Sequence, residues 1–261
     1  MAGRLNKQRT WLAGVVAAAY ALPGLAAGAD LSGGFGVGIG PGETAIAGDY
    51  TRQLAGQLFD IGWDVDTDRM RFILRGGTTT DNAFKHFDLV FGVGNRYAKV
   101  GLGWIWNAST IPTRSRTLGP WLLTDPGVDT QAAVSTVPVY VTLCPYRSDR
   151  SSILLGGYYG LYSAGDLQIP VKSAFGVRGY VQTEPKQGGG AYGARLATTW
   201  RLPTAHSWAL RLEYRFERNI LERGSAPILG DPFGLVPAVE LPALTFEHRT
   251  LLLSLVLLTA N

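Results

Sequence analysis

From Gln57 to Gly76 the chain alternates between two kinds of side chain, and this stretch restricts the fold more than any other. Phe59, Ile61, Trp63 and Val65 are interleaved with Asp60, Gly62, Asp64 and Asp66. Met70, Phe72 and Leu74 then alternate with Arg69, Arg71, Ile73 and Arg75. A period of two is the mark of a strand with unlike faces. A turn at Thr67 and Asp68 folds the two strands into a hairpin, setting Asp66 opposite Arg69, Asp64 opposite Arg71 and Asp60 opposite Arg75. On the other face Trp63 meets Phe72 and Ile61 meets Leu74. One face is oily and the other ionic. A soluble sheet buries its oily face on a core, whereas a transmembrane barrel points it at lipid and keeps polar groups in its lumen.

The N-terminus favours export. Arg4, Lys7 and Arg9 precede the apolar run Trp11 to Leu22, and Ala27-Gly28-Ala29 stands before Asp30. This is the layout of a cleavable secretory signal over 1–29, leaving 30–261 as one domain. The run is too short to span a bilayer as a helix. Cleavage removes three cations and no carboxylate, so the net charge of +4 falls to +1 and the basic balance gives no reason to expect a nucleic acid partner. The single Cys144 excludes an intrachain disulfide, so an exported chain of this length depends on packing or on a membrane. Beyond the signal the most apolar run, Leu251 to Leu258, is again too short for a spanning helix. Any membrane crossing is therefore by strands.

Alternation recurs along the chain. Leu31, Phe35, Val37 and Ile39 are separated by Ser32 and a row of glycines, giving one apolar and one bare face, with Pro41-Gly42 as the expected strand end and 45–54 as a weaker strand. Phe87, Leu89, Phe91 and Val93 lead through Asn95-Arg96 to Val100, Leu102, Trp104 and Trp106; a two-residue turn pairs Phe91 with Val100 and Phe87 with Trp104. Val137 to Leu143 is a further strand, Ile153 to Tyr162 is apolar on both parities, and a strand is expected around Phe175 to Val181. Leu196 to Trp200 and Trp208 to Phe216 form a late hairpin that pairs Trp200 with Trp208 and Arg195 with Glu213. A last strand falls within Thr245 to Leu258, and the Pro-rich and Gly-rich stretches 107–133 and 219–240 read as surface loops. The fold expected is all-β: a single up-and-down antiparallel transmembrane β-barrel of ten to twelve strands, with twelve preferred.

A charge on a lipid-facing strand costs a few kcal/mol at mid-bilayer, so the ionic face must line the lumen. That assigns Asp60, Asp64, Asp66, Arg69, Arg71, Arg75, Arg195, Arg211, Glu213, Arg215 and Glu217 to the interior. Phe59, Trp63, Phe72, Trp104, Trp106, Trp200, Trp208 and Phe216 go to lipid or to interfacial girdles. Opposite signs on expected cross-strand partners favour a lumen plugged by ion pairs over a water-filled pore. His86 and Asp88, two apart on one face, are the only catalytic candidates, as a rim dyad. No metal and no cofactor is expected: His and Cys are too few, and Asp64-x-Asp66-x-Asp68 lacks the glycine and closing glutamate of a calcium loop. Gly188 to Gly190 lacks the lysine and helix that a phosphate loop needs.

The signal at 1–29 and the two-faced hairpins at 57–76, 87–106 and 192–217 give the chain an organisation that resembles Gram-negative outer-membrane β-barrel proteins. The resemblance implies passage through the periplasm, insertion by the barrel assembly machinery and outer-membrane lipid as the surrounding partner, with a role as a structural protein or a narrow solute pore. Those proteins end on an aromatic residue, whereas this chain ends Leu-Leu-Thr-Ala-Asn. Two other readings share part of the pattern: a barrel enzyme acting on lipid or peptide at the membrane rim, and a soluble exported ligand-binding barrel.

Overall fold

The structure, a computed structural model, describes residues 33–258 except 49–51, 114, 116, 120–121, 174–175, 177, 183–186, 204–206, 227, 230–238 and 242. The expected signal at 1–29 lies outside the described residues, as does the C-terminal Thr-Ala-Asn. Ten long strands run up and down: β1 (Gly34–Gly48), β2 (Arg52–Asp66), β3 (Met70–Thr79), β4 (Phe84–Gly94), β5 (Ala98–Ile111), β6 (Thr130–Arg147), β7 (Ser151–Ser173), β8 (Gln187–Arg201), β9 (Trp208–Leu221) and β10 (Leu244–Leu258). Each is antiparallel to its chain neighbour, and β10 returns to β1 in a register running from Gly34↔Leu258 to Gly48↔Leu244. The sheet has closed on itself. Closure pairs the backbone groups that an open edge would expose, the condition for strands to lie in lipid.

Ten strands is the lower bound of the expected range, and the preferred twelve is not reached for two reasons. The chain does not stop at Pro41-Gly42: β1 continues through Pro41 to Gly48, with Pro41 pointing outward, so the separate strand expected over 45–54 is the end of β1 and the start of β2. Of the strand expected near Phe175 to Val181, Phe175 and Val177 lie outside the described residues, and Arg178–Gln182 folds back onto the upper end of β7 from Arg178↔Lys172 to Gln182↔Gln168. Leu122–Thr124 pairs with the same end of β7, from Leu122↔Ser173 to Thr124↔Val171. Neither crosses the barrel. The loop expected over 107–133 is likewise shorter, because β5 runs to Ile111 and β6 begins at Thr130.

All three expected hairpins form, and each register is displaced by two residues. The pairs found are Asp66↔Arg71 and Trp63↔Leu74, Phe91↔Leu102 and Phe87↔Trp106, and Trp200↔Leu210 with Arg195↔Arg215. In the first two the cause is local. The Thr67 hydroxyl accepts from the N–H groups of Arg69 and Met70, and the Asn95 amide oxygen accepts from those of Tyr97 and Ala98. Ser148 does the same for Arg150 and Ser151. The polar residue read as the first residue of the turn instead stays in the ladder and caps it, which moves the turn one residue along. A displacement by two keeps every side chain on its own face.

The faces are as expected, with one local exception. Val37, Ile39, Phe59, Leu89, Phe91, Leu102, Trp104, Trp200, Trp208 and Leu251 to Leu257 at every second position are exposed on the outer wall. Phe72, Trp106 and Phe216 point the same way and are half-buried by neighbours. Trp63 occupies an outward position, yet only 6% of it is exposed, because the Phe35 ring stands edge-on to it at 5.5 Å. Trp63 is thus part of the wall rather than a lipid-facing surface. In β7 the pairing slips between Val137↔Tyr162 and Pro138↔Gly160, a bulge that leaves both Leu161 and Tyr162 outside. That slip puts Tyr162 outside, while Leu154 and Tyr158 are apolar on the other parity because they face the interior.

Candidate functional site

The lumen is layered. In the half nearer the short turns, charged side chains from β2, β3, β4, β5, β6, β8 and β9 converge. Asp64 accepts from three arginines: Arg71 at 3.0 Å, Arg211 at 2.7 Å, and Arg195. Glu213 is held bidentately by Arg75 at 2.6 and 3.1 Å and lies 3.0 Å from Arg195 Nε and 3.3 Å from Arg215. Asp60 bridges Arg215 at 3.2 Å and His86 at 3.0 Å. Nearer the turns, Asp66 pairs with Lys99 at 3.0 Å and with Arg147, which also reaches Asp68 at 3.3 Å.

The longest of these connections, Arg75 to Glu213, Asp64 to Arg195 and Asp60 to Arg215, link β2 and β3 to β8 and β9 across the lumen. They pass over β1, whose inward positions are Gly34, Gly36, Gly38, Gly40 and Gly42. A side chain at Gly38 would meet Ser254 Oγ at 2.3 Å, so the neighbouring strand crowds β1 there. The bare face of β1 is what lets long arginines cross.

Of the residues expected in the lumen, Asp60, Asp64, Asp66, Arg71, Arg75, Arg195, Arg211, Glu213, Arg215 and Glu217 are buried there. Arg69 is the exception: it sits exposed in the Thr67–Met70 turn, one consequence of the displaced register. Pairs expected directly across strands, Asp64 with Arg71 and Arg195 with Glu213, are met diagonally instead. Lys99 and Arg147 were not expected: Lys99 follows a capped turn on the inward parity of β5, whereas Arg147 is on the outward parity of β6 and is turned inward by the register shift between Leu143 and Tyr146 that precedes the last turn. His86 is buried, not at the rim, 3.9 Å from Asp88 and 2.9 Å from Arg215. Asp88 is likewise buried, within reach of Arg75 at 3.5 Å. Both candidates belong to the ionic network. Among the described residues no group of His, Cys, Asp and Glu could hold a metal ion.

The layer above it is apolar. Ile46, Leu58, Phe84, Ile111, Val134, Leu167, Ala191, Leu221 and Phe246 come from nine of the ten strands, point inward and form one cluster that is at most 2% exposed. His248 marks its lower boundary: its ring stacks on Phe84 at 3.7 Å, and its two nitrogens meet Thr44 at 2.9 Å and Thr250 at 2.5 Å. Between the layers, a cavity of about 20 Å³ is bounded by Arg75, Asp88, Tyr140, Tyr158, Arg215 and Glu217. That is room for one water molecule. Sequence reasoning missed this upper layer, although its signal is present. At the ends of β1, β4 and β9, inward positions change from glycine or charged and polar residues to Ile46, Phe84 and Leu221.

The protein is thus a closed, ten-stranded, up-and-down antiparallel β-barrel with an apolar outer wall and an ion-paired interior. Among solved structures it is similar to the outer membrane protease OmpT from Escherichia coli, with 9% identity, a TM-score of 0.48, and 88% of this chain and 95% of that chain covered. It is also similar to the attachment invasion locus protein Ail of Yersinia pestis, at 12% identity and a TM-score of 0.34 over 86% and 97% of the two chains. A third is the translocator domain of the autotransporter NalP from Neisseria meningitidis, at 12% and 0.38 over 95% and 97%. No protein-family model and no curated protein matches the chain. The barrel assignment rests on its own closed ladder and not on these likenesses.

Proposed function

We propose that the chain is a structural outer-membrane β-barrel of a Gram-negative bacterium, inserted with its long-loop end outward, and that its lumen conducts no solute. The observation that supports this is the combination of an oily outer wall with a lumen filled by an ion-paired layer and an apolar layer. The wall exposes Leu251, Leu253, Leu255 and Leu257 in one unbroken row on β10, and rows of the same kind on β4, β5, β6 and β9. A contiguous apolar belt of this extent is not tolerated on a soluble monomer. Placing it in lipid removes that cost, and the buried ions then face one another instead of the hydrocarbon.

The orientation follows from the loops. Turns at 67–70, 95–98 and 148–151 are tight and lie at the end that holds both β1's start and β10's end, whereas 112–129 and 222–243 connect strands at the other. Barrels of this kind keep short turns on the periplasmic side. β10, bonded to both β1 and β9, is the segment that the barrel assembly machinery would close last.

The reading is tested by purifying the full chain from membranes and recording planar-bilayer currents after confirming heat-modifiable gel mobility. A heat-modifiable barrel without steady single-channel steps is the expected result. Steady steps would contradict the sealed lumen, and recovery as a soluble periplasmic protein would contradict the membrane assignment.

A further inference from the structure

On the outer wall, where the apolar belt of β5, β6 and β7 ends, the sheet carries a recess of about 180 Å³. Its floor is Ala108 and Ala133, which face each other across β5 and β6. Trp106 closes it on the side nearer the belt. Thr110, Gln131, Asp166 and Gln168 line the opposite side, with Ala133 paired to Asp166 and Gln131 to Gln168. The belt stops directly below: Trp104 and Leu102 follow Trp106 down β5, and Val137 lies below Ala133 on β6. If the long loops face outward, as proposed above, this recess opens at the level of the outer-leaflet head groups.

The lining selects a chemistry. One indole, two carboxamides and one hydroxyl offer an apolar platform beside donors and acceptors suited to hydroxyl groups. No cation stands among the described lining residues, and Lys85 of β4 pairs with Ala108 beside them. The volume equals about six liquid waters, enough for one sugar ring and below the usual size of a drug-like pocket. An amphipathic aromatic at the interface can pack on the C–H face of such a ring while its neighbours bond the hydroxyls.

We infer that this recess binds a sugar of the head group of an outer-leaflet glycolipid. The inference rests on the membrane reading above. It is tested on the full chain in micelles containing equal amounts of a lipooligosaccharide and phosphatidylglycerol, by native mass spectrometry of the released protein. Heat-modifiable mobility is checked on the same samples, so that failure to form a barrel is read separately from failure to select a lipid.

One glycolipid retained per barrel is expected, with retention lowered about tenfold, roughly the loss of one good contact, by Trp106→Ala and by the outward, groove-filling Ala133→Phe. Leu102→Ala, within the belt, should leave it unchanged. Equal retention by wild type and Ala133→Phe, preferential retention of phosphatidylglycerol, or equally tight binding of the deacylated oligosaccharide would each overturn the assignment.

Discussion

At the scale of single residues, the ionic layer distributes its burden unevenly. Asp64 satisfies three guanidinium groups at once, so replacing it leaves three buried cations short of a partner. Removing one member of a buried pair costs about 3–5 kcal/mol. Asp64→Asn should therefore lower the unfolding free energy obtained from urea titration of the folded, unheated form by an amount in that range, and an unchanged midpoint would show that the arginines have other partners. Glu217 is the contrast. It is buried, its nearest arginine nitrogen is 3.8 Å away, and one of its carboxylate oxygens has no hydrogen bond. Glu217→Gln removes a poorly compensated charge and should be neutral or stabilising in the same titration. Which residues lie inside was largely legible from parity alone: ten of the eleven expected lumen charges are there. Arg69 was misplaced because the hydroxyl of Thr67 caps the ladder, a choice between two equally polar turn positions that alternation does not see.

At the scale of elements, the two faces of a strand should respond oppositely to charge. Leu253 on β10 points to lipid midway along the belt, and Arg249, two positions beyond the belt's last leucine, already carries a charge at the interface. Leu253→Arg should destabilise the barrel by about 2–4 kcal/mol in lipid, whereas Arg249→Gln should cost at most about 1 kcal/mol. Equal effects would mean that β10 does not lie in a membrane. The capped turns offer a separate test. Asn95→Ala deletes the acceptor for two backbone N–H groups and should cost about 1 kcal/mol. Asn95→Asp, which retains an acceptor, should restore most of it. Strand identity was readable wherever alternation was strict. It failed at Arg178–Gln182 and Leu122–Thr124 because β7 is 23 residues long and gathers short strands about its upper end, pairings of long range that no local period encodes.

At the scale of the whole molecule, the proposed seal is shared between two layers of unlike chemistry. The charged layer costs desolvation and is offset by mutual pairing, while the apolar layer needs no partner and excludes water by packing. Weakening the second alone should not open a path. Phe246→Ala, in the apolar layer, should destabilise the barrel by about 3–5 kcal/mol yet leave bilayer recordings silent. Stepwise currents from that variant would mean that the ion pairs alone do not close the lumen. The sequence disclosed the ionic layer through matched signs on facing strands. The apolar one stayed hidden because Ile46, Leu58, Phe84, Leu221 and Phe246 read as ordinary strand residues until the barrel places them in one ring.

The account's central claim is directional: one parity in lipid, the other sealed from water. A nitroxide scan of Leu251 to Leu258, in a Cys144→Ser background reconstituted in lipid, measures it most directly through collisions with oxygen and with a water-soluble nickel chelate. The account predicts strong oxygen access at 251, 253, 255 and 257, and neither reagent at 252 and 256, with the chelate excluded throughout. Chelate access at 252 and 256 would mean a water-filled lumen, and chelate access at the odd positions would mean that the oily face never meets a membrane.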